Sequence, residues 1–554
     1  MENSIPVYCV NTAKYYPMPG GATLDDLLKE VGPLGFTPLC AKVNNRTEAL
    51  DYPVFMPKQV EFLRPDHPSS RRVYIRSLCM LLYKAVSQVH PDASLRIEHS
   101  VSRGHYCRLH PLDNPKATIT PDVEALCIAM QDLIDRDLPL ERHQRLTRDV
   151  IEKFRRQRLD SKVLLLETTH ALYTTYYTLD GLADSYYGPL VTRTGFLKVF
   201  GLIPFEEGML LLPPGTDCTR AARPVEQKKM LAAFTDTLRF NRIVGVSDVG
   251  ELNRAIEEKR SADLINLAET LHSNELSRIA HDIAKKGARV VLIAGPSSSG
   301  KTTTAKRLSI HLMANLLQPK MISLDDYFVD RKTTPLDPIT GGYDYESLYA
   351  LDLPLLNRQL NALLAGEQVN LPTYSFELGA RIEKERPMRL DNDDVLIIEG
   401  IHGLNPELTP DVPQDSIFKV YVSALTTLCI DDHNWIPTTD TRLLRRLVRD
   451  HKYRNTSALE TLRRWGSVRR GEETWIFPFQ ENADATFNSS LLFEPAVLKA
   501  EAEPLLKGVP HDVEEYSEAH RLLSFLSYFQ SLPDRDIPST SLLREFLGGS
   551  SFRY

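Results

Sequence analysis

Gly295-Pro296-Ser297-Ser298-Ser299-Gly300-Lys301-Thr302 follows the apolar run Val290-Val-Leu-Ile-Ala294 and leads into a helix-like segment, Thr303 to Leu316. The spacing G-x-x-x-x-G-K-[ST] between a buried strand and a helix is that of a phosphate-cradling P-loop. Consecutive backbone N–H groups must point inward around a triphosphate, which favours small or absent side chains such as Gly295, Ser297, Ser298, Ser299 and Gly300. The positive end of the following helix adds to that field. Lys301 supplies a point charge for the β/γ-phosphates, and the hydroxyl of Thr302 can ligate the Mg²⁺ that travels with them. Gly295 to Thr303 is therefore the expected ATP-binding stretch, Pro296 included.

The 554 residues suffice for several domains, each able to bury a core. Lys+Arg 66 against Asp+Glu 73 gives a net charge of −7, which offers no global basic footprint for nucleic acid. The seven cysteines are scattered and form no C-x-x-C pair, pointing to a reducing compartment and no zinc site. No signal peptide is evident, and no apolar run approaches the ~20 residues of a membrane span. A soluble cytoplasmic protein with no membrane partner is the expectation.

Within residues 1–66, Ile5 to Val10, Leu39 to Val43 and Gln59 to Leu63 read as strands, and Thr23 to Glu30 as a capped helix. This pattern resembles a β-grasp unit, and Gly21-Ala-Thr-Leu-Asp-Asp-Leu-Leu28 resembles the helix start of a TGS domain. Residues 70–222 resemble the α+β editing-type domain of threonyl-tRNA synthetases. The similarity rests on Ile97 to Tyr106, Pro121 to Leu126 and Gly188 to Lys198. The resemblance implies four converging positions, H-x-x-x-H and C-x-x-x-H, but here they fall on Arg76, Met80, Tyr186 and Leu190. None keeps imidazole or thiolate chemistry, so no aminoacyl-tRNA editing is expected. His99 and His105 lie near the implied cleft. Residues 225–287 are charged and helix-periodic and read as a helical connector.

From 288 to 510, strands alternate with helices: Arg289 to Ala294, Lys320 to Leu324, Asp394 to Ile398 and Ile417 to Val422. That alternation predicts a parallel α/β sheet with its functional residues at the C-terminal strand ends. Asp325 ends the second of these strands and Glu399 the third. A carboxylate beside a P-loop can take a proton from an attacking hydroxyl or hold the metal. Residues 511–554 read as a C-terminal helical tail.

The ordered set Gly295 to Thr302, Asp325-Asp-Tyr-Phe328, Tyr343-Asp344, Leu371 to Phe376, Ile398 to Ile401 and Asp440 to Asp450 resembles the uridine kinase and phosphoribulokinase family, over about 290–500. The resemblance implies a P-loop kinase in which Asp325 is the catalytic base for a nucleoside 5′-hydroxyl. Thr302 and Glu399 become magnesium-site residues, with Asp325 beside them. Asp344 would bind the ribose hydroxyls and Tyr374 would stand at the base pocket, while Arg446, Arg449 and Arg454 belong to the substrate and lid region. Catalysis would rest on Asp325, Lys301, Arg446 and Arg449. The stripe Arg442, Arg445, Arg446, Arg449 recurs at helical spacing, so phosphate contact is expected from at least one member. Two departures stand out: the family's base-reading histidine falls on Gly379, and one lid arginine on Thr456. The aromatics Trp465, Trp475 and Phe477 are candidates for stacking on a base or for core packing.

These readings point to an ATP- and Mg²⁺-dependent kinase of uridine or cytidine, acting in nucleotide salvage, with a homo-oligomer as the expected assembly. A kinase of a purine nucleoside or other small hydroxylated metabolite is the sibling reading. From another class comes an RNA-associated nucleotide-sensing protein whose N-terminal domains bind nucleic acid.

Overall fold

A computed structural model describes residues 4–339, 341–384 and 386–553. The chain is mixed α/β and multidomain, and each unit is built from elements whose ends are chemically specified. In the first unit, Ser4–Cys9 pairs antiparallel with Lys14–Pro19 and parallel with Lys58–Phe62. Cys40–Val43 and Arg46–Ala49 complete a five-stranded sheet. The helix Leu24–Val31 crosses it, capped by Thr23, whose hydroxyl accepts from the Asp26 N–H while the Asp26 carboxylate accepts from the Thr23 N–H. This is the β-grasp arrangement the sequence led us to expect. Val7, Leu24, Leu27, Val60 and Phe62 form its core.

The second unit is organised by the 22-residue helix Pro68–Val89, which is buried over most of its length. A four-stranded antiparallel sheet and a three-stranded one share its core. Arg76, Met80, Tyr186 and Leu190 are all buried here. Arg76 donates to the Pro189 carbonyl at 3.1 Å and lies over the Tyr187 ring. The four positions are packed with protein, leaving an apolar plug with one guanidinium.

The third unit carries a five-stranded parallel sheet. Its strands run in the order Gln318–Ser323, Asp394–Glu399, Val290–Ala294, Ile417–Ser423 and Ala485–Asn488. The fifth strand escapes a sequence reading because only Ala485 and Phe487 of its four residues are buried. The helix after the P-loop spans Lys301–Ala314 and so begins at the lysine itself, two residues before the expected start. Helices Lys228–Val244, Val249–Glu257 and Ser261–Lys286 occupy the expected connector. They bury Val249, Leu264, Ile265 and Ile283 in the same core as Val291 and Ile293 of the sheet. Leu522, Leu542, Leu543 and Phe546 of the tail join that core as well.

A hairpin, Cys429–Asp431 with Asn434–Trp435, leaves the kinase unit and inserts into the second one. Lys162 bridges Asp184 at 2.8 Å and Asp431 at 2.7 Å, and His433 meets Asp184 at 2.7 Å. All four are almost fully buried. Burial alone would raise the Asp184 carboxyl, but Lys162 and His433 outweigh it and hold its pKa well below the usual range. The histidines expected near a cleft serve this packing. His105 lies 4.1 Å from the Trp435 ring, and His99 stacks at 3.8 Å on Phe234, with neither imidazole nitrogen partnered among the described residues.

Burial pushes His99 down to about 4 and His105 to about 3. The unfolded chain takes up protons near pH 6.5 while these rings stay neutral in the fold, so stability falls as pH is lowered through 6.5 towards 4. Calorimetric melting temperatures should therefore drop on acidification. His99→Phe should keep the neutral-pH value and lose less at pH 5; an unchanged slope would show that the ring charges in the fold.

Candidate active site

The P-loop stands where three strand ends meet, and its backbone is held from behind. Arg442 donates to the Ser297 carbonyl at 3.1 Å, Arg445 to that of Ser298 at 3.4 Å, and Ser489 Oγ to that of Ser299 at 2.5 Å. Both arginines are at most 1% exposed, and their charges are met by equally buried carboxylates. Arg442 pairs with Glu472 and Arg445 with Glu494, each through two guanidinium nitrogens. Arg442 and Arg445 therefore face the rear of the loop, away from any phosphate.

Arg446, Arg449 and Arg454 face the other way. They converge on one buried carboxylate, Asp450, at 3.2, 2.8 and 3.7 Å. Arg446 also reaches the Ser297 hydroxyl at 2.8 Å. Three cations share one anion, so the cluster carries surplus positive charge. Burial lowers the pKa of Arg446 and of Arg454, and Arg449 beside them adds to it. An incoming oxyanion would relieve both effects.

On the opposite wall, Glu399 ends its strand in register with Ser323 on one side and Ile293 on the other. It accepts the Ser323 hydroxyl at 3.2 Å. Burial pushes its pKa up to about 7, Lys301 pulls it down, and Asp325 and Glu545 push it up again. Asp325 follows Ser323 by two residues in a 3₁₀ turn. Its carboxylate is open to water at the floor of a cleft, with protein mass around it that raises its pKa against the pull of Lys301 and Arg454. Its neighbour Asp326 is committed to Arg386 at 2.7 Å. Asp325 makes no ion pair among the described residues. Lys301 rests on the Pro296 carbonyl at 3.3 Å.

The remaining predicted residues, Asp344 and Tyr374, have local partners of their own. Asp344 accepts the Glu346 N–H at 3.1 Å, and burial raises its pKa. Tyr374 sits in a cluster of rings: Phe328 at 5.6 Å, Phe376 at 5.1 Å, and Tyr345 beside them, 5.7 Å from Phe328. Trp465, Trp475 and Phe477 pack instead against Arg442, Tyr349 and Arg469 respectively.

A family model described as "Phosphoribulokinase / Uridine kinase family" matches residues 290–491. A uridine kinase of Lactobacillus helveticus is 33% identical over 201 residues, which are 35% of this chain and 83% of that protein. The chain belongs to this kinase family. A threonine–tRNA ligase of a Geobacter species is 28% identical over 188 residues, covering 34% of the chain and 29% of the ligase. The solved structure of a possible uridine kinase from Bacillus stearothermophilus matches 36% of this chain and 88% of that one, at 25% identity and a TM-score of 0.24. Asp325, Glu399 and the three Asp450-bound arginines lie around the P-loop that carries Thr302.

Two acidic residues at this site escaped the motif reading. Glu346 lies two residues beyond Asp344, and burial lifts it to about 7 against the pull of Arg446 and Lys301. A second acid two positions past a predicted ligand was the available signal. Glu545 comes from the C-terminal segment and accepts the Thr303 hydroxyl at 2.5 Å, while Leu542 packs on Gly300. No local pattern marks a residue 242 positions away in the chain.

Two outcomes follow from this geometry. Glu472→Ala strands the buried Arg442 charge and should cost about 3–5 kcal/mol of stability, whereas Arg442→Met with Glu472→Leu should recover most of it; thermal unfolding of the single and double variants checks this. Glu545→Ala removes a carboxylate from beside the P-loop and should tighten ATP binding about two- to fivefold, an effect the size of one partly exposed charge contact. Titration calorimetry reads it directly, and an unchanged Kd would contradict it.

Proposed function

We propose that this kinase transfers the γ-phosphoryl group of ATP to the 5′-hydroxyl of a nucleoside, uridine or cytidine first. The observation that carries the reading is Asp325: a carboxylate without an ion pair among the described residues, shifted towards proton affinity, and sharing its cleft with Lys301, Arg454 and Glu399. A nucleotide sensor would need the P-loop but not such a base.

In the proposed reaction, Asp325 accepts the 5′-hydroxyl proton as the oxygen attacks the γ-phosphorus. The bond from that phosphorus to the β,γ-bridging oxygen breaks, and ADP leaves with the electron pair. Lys301, Arg446 and Arg449 stabilise charge spread over the phosphoryl oxygens. Asp344 would fix the ribose and Tyr374 would stand at the base. The donor set suits Mg²⁺. Glu399 and Asp325 are two carboxylates whose raised pKa values a cation would relieve, and Thr302 offers a hydroxyl. Magnesium is commonly held by one or two carboxylates together with phosphate oxygens, so no larger protein cage is required. When bound, the ion would neutralise phosphate charge.

Product formation by mass spectrometry, with ATP, Mg²⁺ and a panel of nucleosides and sugars, tests the reading. Asp325→Asn should lower kcat by about 10²–10⁴-fold while leaving ATP affinity within a few fold. ATP binding by the wild type without phosphorylation of any acceptor would refute it.

A further inference from the structure

Arg331 stands in the ring cluster that holds Tyr374. Its Nε donates to the Tyr345 hydroxyl at 3.2 Å, and Nη2 donates to the Phe376 carbonyl at 2.9 Å. Its backbone N–H donates to the Gly379 carbonyl at 2.8 Å. The guanidinium fills space that any side chain at 379 would take: a Cβ on Gly379 would lie 2.5 Å from it, and the backbone there is left-handed at φ +66°. The cluster's other basic groups are already spent. Arg381 pairs with Asp352 at 3.0 Å, Arg386 with Asp326, and Arg470 with Asp337 at 3.0 Å.

Arg331 has no carboxylate partner among the described residues. A guanidinium carries five N–H donors and no acceptor. Two are used, so both Nη1 hydrogens and one Nη2 hydrogen stay without a protein partner among the described residues. The surrounding wall is apolar and open. Tyr343 is 48% exposed and Phe376 52%, which leaves ring faces beside Arg331 that a flat group could cover. Tyr374's hydroxyl, buried against Tyr345, also finds no well-formed hydrogen bond among the described residues.

We propose that Arg331 is the specificity-determining residue of the acceptor pocket, presenting donors only, so that it selects a nucleoside whose base edge offers carbonyl lone pairs and rejects one that offers an amino group there. Uridine is thereby favoured over cytidine, and inosine or guanosine over adenosine. The chemistry is general: donors paired to O6 and N7 lone pairs discriminate bases, and an amino group facing a guanidinium leaves donors opposed and unpaired. This inference rests on the nucleoside-kinase reading above.

The experiment is steady-state kinetics with ATP and Mg²⁺ on uridine, cytidine, inosine, guanosine and adenosine, with sugar phosphates and hydroxy acids as further acceptors, for wild type, Arg331→Gln and Arg331→Lys. The wild type should prefer the carbonyl-edged member of each base class. Arg331→Gln should lower kcat/KM for those nucleosides about 10- to 100-fold, mainly through KM, and change cytidine or adenosine less than about threefold. Arg331→Lys should recover part of the loss. Equal losses on every nucleoside would make Arg331 a structural staple of the loop and overturn the proposal, as would a wild type indifferent to the base edge; either result leaves the kinase reading standing. Phosphorylation of an anionic sugar or hydroxy acid in place of every nucleoside would overturn both.

Discussion

A loop that turns its N–H groups inward to a phosphate must turn carbonyls outward, and those carbonyls need donors. Here Arg442, Arg445 and Ser489 provide them for Ser297, Ser298 and Ser299. Burying two guanidinium groups is costly unless each is paired, and Glu472 and Glu494 pair them. The consequence reaches well past the loop. Helix Thr438–Arg454, helix Ala458–Trp475 and the start of helix Glu494–Lys507 are locked in register with the P-loop by these contacts.

That lock divides one helical stripe between two tasks. Arg442 and Arg445, three residues apart, face the loop's rear. Arg446 and Arg449 are rotated towards the cleft, where they share Asp450 with Arg454. Each scaffold guanidinium meets its own buried carboxylate, Glu472 also accepting Arg469, while the cleft arginines share Asp450. A phosphoryl-transfer site needs such an imbalance, because negative charge arrives with the substrate. The C-terminal segment adds a carboxylate to the same place through Glu545, which offsets part of that surplus beside Glu399.

The second unit is tied to this machinery by the hairpin between strand Ile417–Ser423 and helix Thr438–Arg454. The connection from the P-loop's neighbouring strand to the arginine helix thus passes through the Lys162, Asp184, Asp431 and His433 network. Neither partner of such a network can be withdrawn without leaving a charge in the interior. In the second unit, Arg76 is itself packed into the interior beside an intact core.

Much of this is legible in the sequence alone. The P-loop, the acids at strand ends and the β-grasp helix all depend on neighbours in the chain: a Gly/Ser loop before a helix, a carboxylate stopping an apolar run, Thr23 capping three residues ahead. Spacing carries such information because backbone geometry converts it directly into position. The rest depended on partners brought together from afar. Which arginines of the stripe meet carboxylates, that the charged segment 225–287 packs into the kinase core, that Glu545 reaches Thr303, and that Gly379 makes room for Arg331 are all outcomes of packing. A charged side chain reads alike in sequence whether it faces water or a buried counter-charge, and only the assembled fold determines which of these it meets.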